Sequence, residues 1–161
     1  MAASNADRMI ALSRQLAHVH NRLRDQLRSL RSTLGSPNPP EHDLRTHCLA
    51  FCSALTTHHG GENAGMFTEI LRVRPDLEPV VANLAQDHQM IASILGSIRN
   101  LAHEATGTTP ERRELIRREL DGLGAILESH FRYEERAISA TLDSGAVQNT
   151  GWAATVFQLR Q

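Results

Sequence analysis

Two histidine–glutamate pairs with the same spacing occur in the sequence. His58 lies four residues before Glu62, and His130 lies four residues before Glu134. On an α-helix, side chains four residues apart stack on one face. Imidazole nitrogens and carboxylate oxygens are both ligands of first-row metal ions. The two pairs therefore predict a metal site to which each contributes one histidine and one carboxylate.

Two single histidines complete this pattern. His20 and His88 each lie in the helical segment that precedes one of the pairs. Four imidazoles and two carboxylates, with no thiolate, suit two first-row ions better than one structural zinc ion. Each glutamate can bridge both ions, with two histidines on each ion and open positions for a bridging oxygen and a small ligand. Iron is the first candidate metal, and manganese and zinc are the alternatives.

The apolar pattern predicts four long helices that would position these six residues. Apolar residues recur at steps of three and four, and every candidate ligand fills a core position of its segment. Turn residues separate the segments, so the chain is predicted to be all-α, an up-down-up-down four-helix bundle. With a rise of ~1.5 Å per residue, the six residues fall in one layer to within about one turn. The predicted helical segments are residues 4–34, 41–73, 77–103 and 110–142.

The remaining residues and the composition limit the other expectations. Residues 1–142 are predicted to form the bundle and residues 143–161 a tail that packs on it. The formal net charge of −1 gives no electrostatic reason to expect a nucleic acid or membrane partner. No apolar run spans a membrane and no secretory signal is recognised, so a cytoplasmic monomer or weak homodimer is expected. Cys48 and Cys52 are expected to be reduced core thiols.

A metal is the simplest explanation for polar groups in these core positions. One buried histidine is usually satisfied by hydrogen bonds, but an ionised, unpaired carboxylate costs several kcal/mol to bury. No arginine lies on the apolar stripes near the motifs, so the carboxylates have no evident ion-pair partner. A bound cation would supply the missing positive charge.

The complete pattern resembles the hemerythrin-like (HHE cation-binding) family over residues 10–142. The matching residues are His20, His58-x-x-x-Glu62, His88 and His130-x-x-x-Glu134. Residues 55–62 and 130–135 are most similar to bacterial, actinobacterial-type members. The resemblance implies two iron ions with a bridging oxo or hydroxo group and a small oxidant as ligand, which would be dioxygen, peroxide or nitric oxide.

The sequence departs from the oxygen-carrying members of that family. Those proteins have a second histidine four residues after the one in the third helix and end in a histidine–aspartate pair. Here the corresponding residues are Ala92 and Glu134, so a five-histidine site and a simple reversible oxygen carrier are not expected. His59 would supply a fifth imidazole, although it points ~100° away from His58 around the helix. We retain it as an additional ligand candidate.

Three functions are consistent with this pattern. The first is a di-iron oxidoreductase that breaks down peroxide or carries out an oxygen-dependent oxidation. The second is a non-catalytic sensor of iron, oxygen or redox state, or an iron-binding module, with the apolar residues 152–159 as its output surface. The third, a histidine phosphotransfer bundle, would require a histidine that faces solvent.

Several neighbouring residues have two interpretations. Gly60 and Gly61 each cost a helix ~1 kcal/mol relative to alanine. They would either leave room for a small ligand beside the metals or allow another helix to approach closely. Tyr133 adjoins Glu134 and is a candidate for a hydrogen bond in the site. The residues expected on solvated or structural surfaces are His18, His42, His47, His103, Glu69 and Glu135.

Overall fold

The computed structural model describes residues 10–36, 41–103, 109–149 and 151–159, without the side chains of residues 41–43. A π-helical turn, Glu62–Met66, joins α2 to α3, and a 3-10 turn, Pro75–Leu77, precedes α4. The six α-helices are α1 (Leu12–Leu34), α2 (Glu41–Gly61), α3 (Phe67–Val73), α4 (Glu78–His103), α5 (Pro110–Leu142) and α6 (Trp152–Phe157).

Helix α1, the continuous helix from α2 to α3, α4 and α5 form a four-helix bundle. Helix α1 packs against α2 and α5, and α4 packs against the same two helices. The predicted all-α bundle is confirmed, and no strand occurs within the part of the chain that the structure describes. The predicted apolar stripes form its core, because their leucines and isoleucines on α1, α4 and α5 are buried.

The ends of most helices agree with the predictions. Thr109 caps α5, and its hydroxyl accepts a hydrogen bond from the backbone N–H of Arg112 at 3.2 Å. The helical run that begins at Glu41 ends before Arg74, where the backbone leaves the helical region ahead of Pro75.

The predicted start of α1 near residue 4 is wrong for the described residues, since residues 10 and 11 are not helical. The carboxylate of Asp143 accepts hydrogen bonds from the backbone N–H and the hydroxyl of Ser13. A side chain 130 residues away in sequence therefore caps this helix. Capping rules that consider only neighbouring residues in the sequence cannot predict this cap.

The segment after α5 is hydrogen-bonded to α3, and α6 packs on α2 and the π-helical turn. The Glu69 carboxylate accepts the backbone N–H of Gln148 at 2.8 Å, and Arg72 donates to the carbonyl of Ala146 at 2.8 Å. The indole N–H of Trp152 donates to the carbonyl of Gln148 at 2.9 Å. These bonds bring α6 onto the bundle. The division into domains at residue 142 stays a prediction.

No helix among the described ranges is both long and apolar enough to cross a membrane. Cys48 and Cys52 are free and buried, as expected from the sequence.

Candidate metal centre

The structure brings all six candidate residues together at the centre of the bundle and adds His59. These seven side chains come from α1, α2, the π-helical turn, α4 and α5, so every side of the bundle contributes. None of the seven is more than 5% exposed. The members of this cluster are His20, His58, His59, Glu62, His88, His130 and Glu134.

The ligand atoms of the cluster form two groups, and within each group they lie within 4.8 Å of one another. Glu62 belongs to both groups. The sequence interpretation placed two histidines on each ion, whereas the geometry places three on one side and two on the other. The three-histidine group is His59, His88 and His130 with Glu62, and the two-histidine group is His20 and His58 with Glu62 and Glu134.

The two oxygens of Glu62 face different groups. Oε1 lies 3.3 Å from Nε2 of His88, and Oε2 lies 3.7 Å from Nε2 of His58. A carboxylate in this position can give one oxygen to each of two neighbouring cations. This is the arrangement expected of a bridging ligand.

Glu134 is oriented in the same way from the opposite side of the bundle. Its Oε1 lies 3.2 Å from Nε2 of His20, and its Oε2 lies 3.6 Å from Nε2 of His130. Both buried carboxylates therefore span the two histidine groups. The pairing follows from the spacing of four residues, which places each glutamate one helical turn from a histidine.

Hydrogen bonds hold two of the rings with Nε2 directed into the cluster. Nδ1–H of His58 donates to the backbone carbonyl of Val156 at 2.7 Å. Nδ1–H of His130 donates to the carboxylate of Asp87 at 3.0 Å. The carbonyl and the carboxylate oxygen are the acceptors, so Nδ1 of each ring carries a proton and Nε2 faces the cluster. Such partners fix the tautomer and orientation of metal-binding histidines.

The other two predicted histidines also have polar partners behind them. Nδ1 of His88 lies 2.8 Å from the side-chain oxygen of Asn63. Nδ1 of His20 lies 3.6 Å from Oε2 of Glu135, which also lies 3.5 Å from the guanidinium of Arg24. The expectation that Glu135 sits on a solvated face is therefore corrected, because it is 25% exposed and lies against a buried histidine.

The distances inside the cluster suit metal coordination. Nε2 of His88 and Nε2 of His130 lie 3.2 Å apart. Two donors that are each ~2.1 Å from one ion and ~100° apart are separated by about 3.2 Å. Both Nδ1 atoms face acceptors outside the cluster, Asn63 and Asp87, so both Nε2 atoms face its interior. One cation could therefore contact both Nε2 atoms.

Several buried ligand atoms have no hydrogen-bond partner within the described structure. They are the Nε2 atoms of His20, His58 and His59 and all four carboxylate oxygens of Glu62 and Glu134. Unpaired buried polar groups each cost of the order of 1–3 kcal/mol, and charged groups cost more. The donor set therefore fits cations that bind nitrogen and carboxylate oxygen together.

Burial keeps three of the imidazoles neutral. It lowers the pKa of His58 to about 4, with the nearby His20 adding to the effect. It lowers the pKa of His88 to about 3, with His130 contributing. The pKa of His59 is also well below its usual value, through burial and then the proximity of the His88 imidazole, which disfavours a second protonated ring. Neutral rings are the form that binds a metal.

The two carboxylates differ in their electrostatic surroundings. Burial, reinforced by Glu134, raises the pKa of Glu62 well above its usual range. Burial also opposes ionisation of Glu134, but the close approach of His20, Glu62 and His130 together outweighs burial and lowers the pKa of Glu134. For His20, burial lowers the pKa, yet Glu134 and then Glu135 more than compensate and raise it. Glu62 is thus the carboxylate that lacks a compensating positive charge.

A family comparison agrees with this donor set. The model of the hemerythrin HHE cation binding domain matches residues 11–142. The chain belongs to this family. No curated protein and no solved structure matches the sequence of this chain. The resemblance to this family is confirmed, and so is the hemerythrin-like bundle, whereas the similarity to actinobacterial-type members stays a prediction. The family binds cations, and the two groups of this HHE domain can each hold a metal ion.

His59 lies in the cluster because the buried face of α2 is wider than one line of residues. A second line with steps of three and four runs through Cys48, Cys52, Leu55 and His59, and all four are buried. A core-facing helix buries a stripe at least ~100° wide, which accommodates two residues 100° apart. This second line was the sequence signal for a fifth imidazole.

The π-helical turn after His59 shifts the buried face by one residue. The backbone N–H of Phe67 bonds to the carbonyl of Glu62, five residues earlier. A regular helix would have continued the buried line to Gly65, but Met66 and Phe67 are buried instead. The Phe67 ring then stacks on His88, with ring centroids 5.5 Å apart. Such turns are frequent at functional sites.

Of the two glycines after His59, only Gly61 contacts the tail of this HHE domain. A Cβ on Gly61 would lie 2.9 Å from Cγ2 of Thr155, whereas one on Gly60 would meet no atom within 4 Å. Close helix approach therefore accounts for Gly61. A surface groove of about 580 Å³ runs along Gly60, Gly61 and Gly65 and is bordered by Trp152.

The other singled-out residues lie outside the cluster. His18, His47 and His103 are exposed, as predicted, and the side chain of His42 lies outside the described residues. Tyr133 is half-buried and packs against the core. Glu69 is not a freely solvated residue, because it is 14% exposed and holds the tail.

Proposed function

We propose that this HHE domain is a non-haem di-iron protein that binds or reacts with a small oxidant, which is dioxygen, peroxide or nitric oxide. The observation that carries the proposal is the placement of two buried glutamates, each with one oxygen toward each histidine group. The proposed ligands are His20, His58, His59, His88, His130, Glu62 and Glu134.

The proposed ligand set is asymmetric. His59, His88 and His130 would hold one ion, and His20 and His58 the other, with both glutamates shared between them. The two-histidine position receives one imidazole fewer from the protein. A small oxidant is therefore expected to occupy that position. Bound iron would supply the redox chemistry and the vacant coordination position.

The surrounding residues would control access and orientation. The ring of Phe131 stacks on His20 with centroids 3.9 Å apart, and the guanidinium of Arg24 lies 5.2 Å from the Phe131 ring centroid. These layers separate His20 from solvent. The near-complete burial of the cluster restricts the reactant to a small molecule. An apolar surround also influences the redox behaviour of a bound metal.

The alternative is a non-catalytic sensor or iron-binding module. The observation that favours it is the contact between His58 and the backbone of Val156, which links the cluster to the tail. Metal binding stabilises the fold that supplies the ligands, so occupancy would change the stability of this contact. The phosphotransfer alternative loses its basis, because the motif histidines are buried.

Metal analysis of the purified protein tests the di-iron proposal. We expect close to two iron ions per chain and a Mössbauer spectrum of an antiferromagnetically coupled pair. Glu62→Ala should abolish the pair, whereas His18→Ala, on the exposed face of α1, should leave it intact. Two-metal loading that survives Glu62→Ala would show that the ligand set is wrong.

Peroxide consumption separates the enzyme from the sensor. The iron-loaded protein is mixed with hydrogen peroxide, and oxygen release is followed against the same concentration of free iron. Turnover above free iron, lost in the Glu62→Ala variant, would support an oxidoreductase. An absence of turnover both with peroxide and with dioxygen plus a reductant would favour the sensor or iron-binding module.

A further inference from the structure

The tail of the chain contacts a proposed ligand through its backbone. The carbonyl oxygen of Val156 in α6 accepts the Nδ1–H of His58 at 2.7 Å, and both residues are completely buried. The two residues are 98 positions apart in sequence. Because a backbone carbonyl only accepts, this contact selects the tautomer of His58 whose Nε2 lone pair faces the cluster.

Two glycines allow α6 to come this close. A Cβ on Gly61 would lie 2.9 Å from Cγ2 of Thr155 and 3.1 Å from Cγ2 of Val156. A Cβ on Gly65 would collide with the Cβ of Trp152, which cannot move without its backbone. Gly61 and Gly65 are one helical turn apart, so together they form the seat of α6 on the bundle.

The segment that precedes α6 is fixed independently of this seat. Glu69 and Arg72 bind the backbone at Gln148 and Ala146. Gly151, with φ of +88°, makes the left-handed turn that starts α6. The tail is thus anchored on α3 and then directed to the seat. These contacts hold the Val156 carbonyl in place against Nδ1 of His58.

We propose that α6 is a positioning element for His58. By seating on Gly61 and Gly65, it places the Val156 carbonyl so that His58 keeps its Nδ1–H tautomer and presents Nε2 to Glu62 and His20. The consequence for metal affinity rests on the proposed function, but the tautomer of His58 does not. Displacement of α6 should weaken the ion held by His20 and His58 and spare the three-histidine position.

The test compares alanine at adjacent glycines. Gly60→Ala adds a methyl group where no atom lies within 4 Å, whereas the methyl group of Gly61→Ala would lie 2.9–3.1 Å from side-chain atoms of Thr155 and Val156, so we expect it to displace α6. Long-range proton–nitrogen NMR of the metal-free, nitrogen-15 histidine-labelled protein reports the tautomer of each ring. We expect His58 to be Nδ1-protonated in the unmodified protein and in the Gly60→Ala variant, and to become a tautomer mixture in the Gly61→Ala variant.

Chelator competition with ferrous iron provides the second measurement. Loss of a partner behind a metal-binding histidine typically weakens metal affinity ~10–100-fold. We expect that loss for one of the two ions in the Gly61→Ala variant, and no change for either ion in the Gly60→Ala variant. Circular dichroism of the metal-free variants checks that the bundle remains folded.

A second variant covers the case in which Gly61→Ala is tolerated by local adjustment or does not fold. Trp152→Ala removes the ring that lies over Gly65 and leaves the bundle helices unchanged. An unchanged His58 tautomer in the folded variants would overturn the role of α6. A changed tautomer with both iron affinities intact would instead overturn the assignment of His58 as a ligand.

Discussion

Replacement of Glu62 by glutamine should change the stability of the metal-free and iron-loaded proteins in opposite directions. In the metal-free protein this side chain is 0% exposed, and its oxygens have no hydrogen-bond partner within the described structure. The imidazoles nearest to it, His58 and His88, are kept neutral by burial, which lowers the pKa of each. Glutamine has the same shape and no charge.

The expected magnitudes follow from these surroundings. Burial raises the pKa of Glu62, so folding must neutralise or bury a carboxylate that is ionised and solvated in the unfolded chain, and glutamine removes this cost. We expect a stabilisation of ~1–2 kcal/mol, about the equivalent of one pKa unit, because the glutamine amide retains polar groups that need partners. In a domain of this size ~1 kcal/mol corresponds to a Tm shift of ~2–4 °C, so the metal-free Glu62→Gln variant should melt ~2–8 °C above the unmodified protein.

Iron should reverse this order. A ligand at 100 times its dissociation constant stabilises the folded state by ~2.7 kcal/mol per site, which is equivalent to ~5–11 °C for one ion. The unmodified protein should gain at least that amount on anaerobic addition of ferrous iron. The Glu62→Gln variant should gain much less, because it lacks one of the two carboxylates that face both histidine groups.

Differential scanning calorimetry with and without ferrous iron measures both effects. Glu114→Gln is the matched control, since Glu114 is 49% exposed and lies on α5 twenty residues before Glu134. That control should shift stability by no more than ~0.5 kcal/mol in either state. A metal-free Glu62→Gln variant that is less stable than the unmodified protein, or one with the full iron-induced gain, would refute the reasoning.

Two further predictions concern the residues around the cluster. Asp87→Ala should weaken iron binding ~10–100-fold, because it removes the hydrogen-bond acceptor of Nδ1 of His130. Asp87→Asn keeps an acceptor and should recover part of the iron affinity. Equal affinity of both variants in chelator competition would contradict this role of Asp87. Cys48 and Cys52 should resist thiol reagents in the folded protein at pH 8, because burial raises the pKa of Cys48 to about 12 and also raises that of Cys52. Rapid labelling without denaturant would contradict the burial of these thiols.

Local periodicity was sufficient for most of the fold. The caps and breaks at Thr109, Arg74 and Leu142 were predictable because they depend on neighbouring residues. The start of α1 was not, because its cap is the carboxylate of Asp143 at the far end of α5. The π-helical turn had a sequence signal, since the regular pattern after Glu62 arrives at Gly65 and not at an apolar residue.

The residues of the candidate site also divide into those that local sequence patterns predict and those that depend on contacts between helices. Its six predicted residues could be named because each occupies a core position in its own helix, which is a local property. His59 is harder to predict, because it lies off the apolar line through His58, whereas the helix buries a wider face. The partners behind the rings, Asp87, Asn63 and Glu135, could not be named, because they depend on how separate helices face each other.

The sequence by itself determined the helices, their buried stripes and the single layer of histidines and glutamates. A spacing of four residues and segments of similar length are enough for that, since helical rise and twist are constant. Only the tertiary structure decided the grouping of three histidines against two and the contact of α6 with His58. The first depends on distances between side chains of different helices. The second is made by the backbone carbonyl of Val156, a group that every residue has and that no residue type reveals.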